Sequence, residues 1–362
     1  MLDLSGNKIP SVSAKHFNGF QNLQALNLSR NRIIVIADDS FASLGQLIHL
    51  DLSQNPLFTI STAFLQPLKT LETLNLRNCS LARVSALPLK RGKLNTDLLW
   101  GNSEQFKTTN RRKEETYYSP NRRFLTSLRA TSYGSVRSFR LQELVSRLHS
   151  LRRVLVEVEE PVLSHQLQWA FGAKLTELTV TGRQLRVVFP DALLGLHGSH
   201  ELVLRLTGTS IRRLPAGLLR YLADVRYLTL DLRDNLLSSI GPEVLKPAGE
   251  EAGLWRGTQH LAGIRLEGNP WVCDCRLLWL SRWLRRWLRE TLRVQMLHFD
   301  AAIYVHNLAR QSECVYPSEQ IRKPLIDLQE DDLQCTSPSG HPSFDHFWLL
   351  VLVTTTAGMR AS

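Results

Sequence analysis

The chain lacks a run of residues long and apolar enough to span a bilayer. Its best stretch, Phe347 to Val353, is seven residues long, against the roughly 18–20 that a spanning helix requires. The opening MLDLSGNKIP has neither the basic nor the apolar segment of a secretory leader. Cysteine is scarce, with five in 362 residues, so the fold must rest on a core and not on a dense disulfide framework. No G-x-S-x-G, H-E-x-x-H or phosphate-cradling glycine loop occurs. His16, His49, His197 and His200 share no ligand spacing. No catalytic residue, metal ligand or cofactor site is therefore nominated, and the chain reads as a non-enzyme. With 43% hydrophobic and 21% charged residues, the composition excludes collagen, mucin-like stalks and wholesale disorder. Acidic residues are outnumbered, 33 to 44, for a net charge of +11.

What is present is a repeat. The pattern L-x-x-L-x-L-x-x-N-x-L is met by Leu23, Leu26, Leu28, Asn31 and Ile33. It returns at Leu47, Leu50, Leu52, Asn55 and Leu57, and again at Leu71, Leu74, Leu76, Cys79 and Leu81. Leu2, Leu4, Asn7 and Ile9 fit ahead of them, so Asn7, Asn31, Asn55 and Cys79 fall at a constant interval of 24. Ten residues beyond the asparagine position stand Phe17, Phe41 and Leu65. These features identify the chain as resembling leucine-rich repeat proteins of the 24-residue extracellular type.

Further along, the period wears and recovers. Leu94, Leu99 and Asn102 suggest a degenerate repeat. The segment 103–123, with Lys107, Arg111, Arg112, Lys113, Arg122 and Arg123, reads as an exposed basic insertion. Leu125, Leu128 and Ala130 open another repeat. Leu151, Val154 and Val156 follow, then Leu175, Leu178, Val180 and Leu185, then Leu204, Leu206 and Ile211. Leu230, Leu232, Asn235 and Leu237 precede a last repeat at Leu261, Ile264, Leu266, Asn269 and Trp271. The count is about eleven repeats.

The pattern predicts an α/β leucine-rich repeat solenoid. In x-L-x-L-x the leucines point inward and the x positions outward. One short strand and its return loop cannot bury those leucines alone. Stacking joins the strands into a parallel sheet over one continuous core. Strands pack more closely than return loops, so the sheet lies on the concave side. The asparagine amide is expected to point inward and satisfy turn backbone groups.

The stack needs a lid. After the last repeat the chain reads NPWVCDCRLLWLSRWLRRWL, with Cys273 and Cys275 in C-x-C spacing and Cys314 and Cys335 downstream. This resembles the cysteine-flanked C-terminal cap of extracellular leucine-rich repeat proteins. The resemblance implies the pairs Cys273–Cys314 and Cys275–Cys335, and with them an oxidising compartment. Zinc is the competing reading of four such cysteines, although C-x-C is a poor zinc knuckle. Cys79, in the asparagine position, reads as a buried thiol. A cap helix is expected over about 276–293, with Trp279, Trp283, Trp287, Leu280, Leu284 and Leu288 on one face. Arg282, Arg285, Arg286 and Arg289 take the other. The face seals the solenoid; a membrane-surface role is the alternative.

The expected organisation is then repeats over 1–268, the cap over 269–336 and a tail over 337–362. A start inside a repeat marks the sequence as an expected fragment of a longer protein with more repeats, an N-terminal cap and a signal. The tail leaves three readings open: a lipid-anchor signal beginning at Ser337, Ser339 and Gly340, a truncated spanning helix, or a plain secreted end. Two sequons, Asn27-Leu-Ser29 and Asn78-Cys-Ser80, fit an extracellular glycoprotein.

The default binding surface is the set of outward positions. These are Gln24, Asn27, Arg30, His49, Asp51, Gln54, Glu72, Asn75 and Arg77, then Thr176, Glu177, Thr179, Arg205, Asp231, Arg233 and Arg265. Polar and mixed in sign, they suit a protein ligand. The general form resembles insect-type membrane-anchored adhesion glycoproteins such as the chaoptin and connectin group. That implies adhesion or ligand recognition at the cell surface, homophilic or not. The second reading is a secreted matrix protein that binds sulfated glycans or another polyanion through Lys90, Arg91, Lys93 and the 103–123 cluster. Nucleic acid is disfavoured, since no basic module interleaved with aromatics is present.

Overall fold

The structure is a computed structural model that describes residues 1–85, 125–132, 141–145, 148, 150–168, 175–196, 200–222, 225, 227–245, 261–295, 306–307, 309–317, 321–333 and 335. The basic segment 103–123, Lys90, Arg91 and Lys93, His197 and the tail 337–362 lie outside the described residues.

Ten strands form one sheet, neighbour to neighbour in chain order. They are Leu2–Asp3, Ala25–Asn27, His49–Asp51, Thr73–Leu76, Ser127–Ser132, Arg153–Val158, Glu177–Gly182, Glu201–Thr209, Tyr227–Asp231 and Leu261–Arg265. Every pairing is parallel, because each strand is reached by a return loop on the other side of the core. Leu2, Leu26, Leu50, Leu74 and Leu128 share one row of the register, which runs on through Val154, Leu178, Leu204, Leu230 and Ile264. Leu26, Leu50, Leu74, Leu128, Val154, Leu178, Leu204 and Leu230 are buried. Each contributes roughly 1.5–3 kcal/mol relative to exposure.

Thr73–Leu76 pairs directly with Ser127–Ser132, Leu74 against Leu128; Leu94, Leu99 and Asn102 lie outside the described residues. One expectation needs correction. The third residue of the aromatic spine is Phe64, not Leu65: Phe64 is fully buried, and Leu65 is only partly so. The shift comes from the Thr59–Ser61 strand and the 3-10 turn Thr62–Leu65, which bring the ring in one residue early. Phe17, Phe41 and Phe64 then follow one another with ring centroids 5.8 and 5.9 Å apart.

The asparagine ladder does what the pattern implies. Asn31 Nδ2 donates to the carbonyls of Leu4, Leu28 and Ser29 at 2.8, 3.0 and 3.2 Å, and Oδ1 accepts from the Ile9 amide at 3.1 Å. Asn55 repeats this with Leu28, Leu52, Ser53 and Ile33. Asn235 and Asn269 also bridge their own turn to the preceding one. Cys79 substitutes with one weak donor, its Sγ lying 3.3 Å from the Leu52 carbonyl oxygen.

The residue before each ladder position takes a left-handed backbone, with φ between 51° and 56° at Arg30, Gln54, Asn78 and Asp234. Gly6, Gly208 and Gly268 hold the same place. At Gly268 a Cβ would lie 2.3 Å from Asp234 Oδ1 and 3.2 Å from the Asp234 backbone nitrogen, so a side chain there would have to displace the Asp234 carboxylate. Where the asparagine is replaced by Glu159, Arg183 or Thr209, the strands are longer, reaching six, six and nine residues. Backbone pairing there carries what the amide carries elsewhere.

The cap begins at Trp271, whose Nε1 donates to the Leu266 carbonyl at 2.9 Å. Trp271–Val272 pairs parallel with Glu313–Val315, which pairs antiparallel with Arg322–Pro324. The cap helix is a 3-10 turn, Cys275–Leu277, running into Leu278–Gln295. Leu277, Leu280, Trp283, Leu284, Trp287 and Leu288 are buried against the last coil. The rings of Trp283 and Trp287 stack with centroids 6.5 Å apart. Arg282, Arg286 and Arg289 are exposed. Arg285 departs from the solvated face: its Nη1 donates to the Ile326 and Leu328 carbonyls at 2.8 and 3.0 Å.

Disulfides join Cys273 to Cys314 and Cys275 to Cys335, with Cα separations of 5.0 and 5.7 Å. Bonded in pairs, these sulfurs are not thiolates available to zinc. The first bridge closes 41 residues, a constraint of about 4 kcal/mol in the chain-entropy picture.

Two predictions follow from this architecture. Asn55→Ala removes the acceptor of the Ile33 amide and one of the two donors on each of the Leu28, Leu52 and Ser53 carbonyls, and should lower stability by about 2 kcal/mol in urea unfolding; a loss under about 0.5 kcal/mol would show that the ladder is dispensable. Burial pushes the Cys79 thiol up to about 12. Alkylation of the native protein should therefore modify no cysteine, denaturant alone should expose one, and reduction should expose all five.

Candidate binding surface on the concave sheet

The outward side chains stand in rows across the strands. One row reads Ala25, His49, Thr73, Ser127, Arg153, Glu177, Val203, Thr229 and Gly263. The next reads Asp3, Asn27, Asp51, Asn75, Arg129, Leu155, Thr179, Arg205, Asp231 and Arg265. Of the sequence-predicted positions, Asn27, His49, Asp51, Asn75, Glu177, Thr179, Arg205, Asp231 and Arg265 fall in these rows. Gln24, Glu72 and Thr176 sit just before the strands, where their carbonyls bind the next coil's amides. Arg30, Gln54, Arg77 and Arg233 follow the strands.

In the first half the side chains are turned onto their own backbone. Oδ1 of Asp3, Asn27, Asp51 and Asn75 accepts from the amide two residues on, at 2.8 to 3.2 Å. Asn75 Nδ2 also donates to Asp51 Oδ2 at 2.9 Å. His49 Nδ1 lies 2.6 Å from Thr73 Oγ1, and Arg30 Nε donates to Gln54 Oε1 at 2.6 Å. This end is a braced polar surface whose donors and acceptors are largely spent within it. The Asn27 sequon belongs to that bracing, whereas the Asn78 side chain stands exposed on its turn.

The second half is a charge lattice. Arg77 reaches past the intervening strand to Glu157 at 2.8 Å. Arg205 pairs with Glu177 and lies 3.6 Å from Asp231. Arg233 holds Asp231 with two bonds, Nε to Oδ1 at 2.9 Å and Nη2 to Oδ2 at 2.7 Å. Arg265 lies 3.6 Å from Glu267. The Asp231 side chain is 2% exposed. Burial alone would raise its pKa, but the Arg233 side-chain and backbone hydrogen bonds, with the Arg233 and Arg265 charges, hold it below 3.8.

Between the two halves lie residues that reading by repeats passed over. Arg129 and Arg153 are exposed on neighbouring strands, beside Leu155. Among the described residues neither has an ion-pair partner, while Arg77, Arg205, Arg233 and Arg265 all face carboxylates within 4 Å. The repeats at Leu125, Leu128, Ala130 and at Leu151, Val154, Val156 already place Arg129 and Arg153 at outward positions, which the set drawn from the more regular repeats leaves out.

A parallel sheet of single-strand coils, joined by an asparagine ladder and shut by a sulfur-bridged lid, defines the leucine-rich repeat fold. The leucine rich repeat family profile matches residues 1–57 and 21–81. Within that class the chain resembles chaoptin. It is 26% identical over 160 residues to chaoptin of Tribolium castaneum, covering 43% of this chain and 20% of that protein. With chaoptin of Drosophila melanogaster it shares 23% over 181 residues, covering 43% of this chain and 14% of that protein. The matched region thus spans a fifth or less of those relatives. A chain in the solved Drosophila Toll–Spatzle complex superimposes with a TM-score of 0.42 and 16% identity, over 73% of this chain and 29% of that one.

Asp231 sets a pH dependence. A carboxyl whose pKa is lower in the folded state adds stability above its unfolded pKa and loses it as pH falls through the folded value. Asp231→Asn should cost about 2–4 kcal/mol at neutral pH by stranding Arg233. The gap to the parent should narrow as pH drops below about 4; a gap that stays constant down to pH 2 in denaturant titrations would contradict the assignment.

Proposed function

We propose that this chain is a non-catalytic module for adhesion or protein-ligand recognition that works outside the cytosol, with its partner seated on the concave sheet. We divide it into a repeat region over 1–268, a cap over 269–336 and a tail over 337–362. The observation that carries the reading is the centre of an otherwise self-paired surface: Arg129 and Arg153, exposed beside Leu155 and without an ion pair among the described residues. A rigid sheet presents such groups without an ordering cost on binding. Two cations beside an aliphatic side chain suit an acidic protein surface better than a neutral small molecule. The similarity to chaoptin and the paired cysteines support an extracellular, cell-surface setting. Carbohydrate at Asn78 and not at Asn27 agrees with the exposure of the two side chains.

The test is aggregation of beads coated with the chain, alone for homophilic contact and against insect cell-surface proteins for a different partner. Arg129→Glu with Arg153→Glu should abolish whichever contact the parent makes, and exposed-side Arg289→Glu should not. Unchanged capture by the double variant would refute the concave seat. The net charge of +11 favours the second reading, a polyanion-binding matrix protein, and strong salt-resistant retention on heparin by both parent and double variant would support it instead.

A further inference from the structure

Past the turns that end the Arg153–Val158 and Glu177–Gly182 strands, the flank of the solenoid carries a short second ladder. Val162–Leu163 pairs parallel with Val187–Val188. The Val187 and Phe189 amides donate to the Pro161 and Leu163 carbonyls at 3.0 and 2.9 Å. On its other edge Val187–Val188 pairs with no strand among the described residues. Successive coils stay joined just before this point, where the Ser210 amide donates to the Leu185 carbonyl at 2.8 Å, and again where Leu236 donates to Ile211 at 2.9 Å. Between those bonds the stacking lapses. No backbone bond runs from Arg212–Leu214 to Arg186–Val188, and a groove of about 810 Å³ opens there.

The groove has an aliphatic floor and a cationic rim. Val187 and Leu236 are 45% and 41% exposed, large for such side chains, and Leu214 joins them in the lining. Arg186, Arg212 and Arg213 rim it. All three are exposed, none is ion-paired among the described residues, and the lining contains no Asp or Glu. Three like charges gathered without a counter-charge, over apolar surface left in water, form an unfavourable arrangement that a complementary ligand would relieve.

We infer that this flank groove binds an extended, acidic segment of a partner protein, added as a strand to the open edge of Val187–Val188. An extended peptide presents alternate side chains to opposite sides. Its backbone can take up the unpaired strand edge, its aliphatic side chains the Val187–Leu236 floor, and its carboxylates the three guanidinium groups. A sulfated glycan would meet the arginines but gain nothing from the floor or from the strand edge. The groove is separate from the concave sheet, so the proposal stands or falls independently of the function proposed above.

The probe is a fluorescein-labelled peptide of alternating glutamate and valine, titrated with the full chain and followed by anisotropy. Alternating lysine–valine and glutamate–serine peptides serve as comparisons. The glutamate–valine peptide should bind at least about tenfold more tightly than either. Arg212→Glu with Arg213→Glu should weaken it by a similar factor, with an unchanged melting curve showing that the fold is intact. Leu236→Lys should weaken it as well, whereas the concave Arg129→Glu, Arg153→Glu pair should leave it untouched. Absence of binding, indifference to the Arg212 and Arg213 reversals, equal binding of the glutamate–serine peptide, or equally tight binding of a heparin oligosaccharide in the same groove would each overturn the inference.

Discussion

Everything in this molecule depends on the pairing of an inward leucine row with an amide that closes the turn beside it. A leucine-bearing strand of three residues has no stability of its own. It persists because its apolar side chains are covered by identical rows above and below, and because the turn that follows leaves few backbone groups unpaired. Asn31 and Asn55 each tie two consecutive turns together with one side chain. Burial and polar satisfaction therefore propagate along the same axis, and each coil is both the lid of one neighbour and the floor of the next.

The middle of the stack shows what happens when one of the two conditions weakens. Glu159, Arg183 and Thr209 cannot repeat the amide's double role, and the strands there lengthen to recover the lost bonds through the backbone. Gly182 belongs to the same adjustment, for a Cβ at that point would sit 2.1 Å from the Val158 carbonyl oxygen. The longer strands add Glu157 to the concave face, while Arg129, Arg153, Glu177 and Arg205 stand in the same rows as His49 and Asp51. The region least faithful to the repeat is the one that carries Glu157, Glu177, Arg205, Arg129 and Arg153.

The ends impose the remaining constraint. A solenoid terminates on exposed leucines unless something apolar covers them. Here the cover is a helix whose tryptophan and leucine face is laid on the last coil and held by two covalent links. Arg285 marks the limit of reading such a helix as two clean faces. Its guanidinium turns to the Ile326 and Leu328 carbonyls, which the Ser281 hydroxyl also reaches from the helix.

The spacing of Leu26, Leu50 and Leu74, the asparagines, and the C-x-C motif after Asn269 determined the solenoid, its parallel sheet and its lid, since periodic burial and cap chemistry are written in local order. Tertiary structure alone decided the rest. Phe64 and not Leu65 enters the spine because a side strand shifts one turn. Thr73–Leu76 meets Ser127–Ser132 because pairing follows space and not the count along the chain. Asp51 and Asn75, outward by pattern, are committed to their own backbone, while Arg129 and Arg153 have no ion pair among the described residues. A sequence shows which way a side chain points from its strand; whether that side chain is already occupied depends on neighbours 24 or 80 residues away, which only the stacked coils bring within reach.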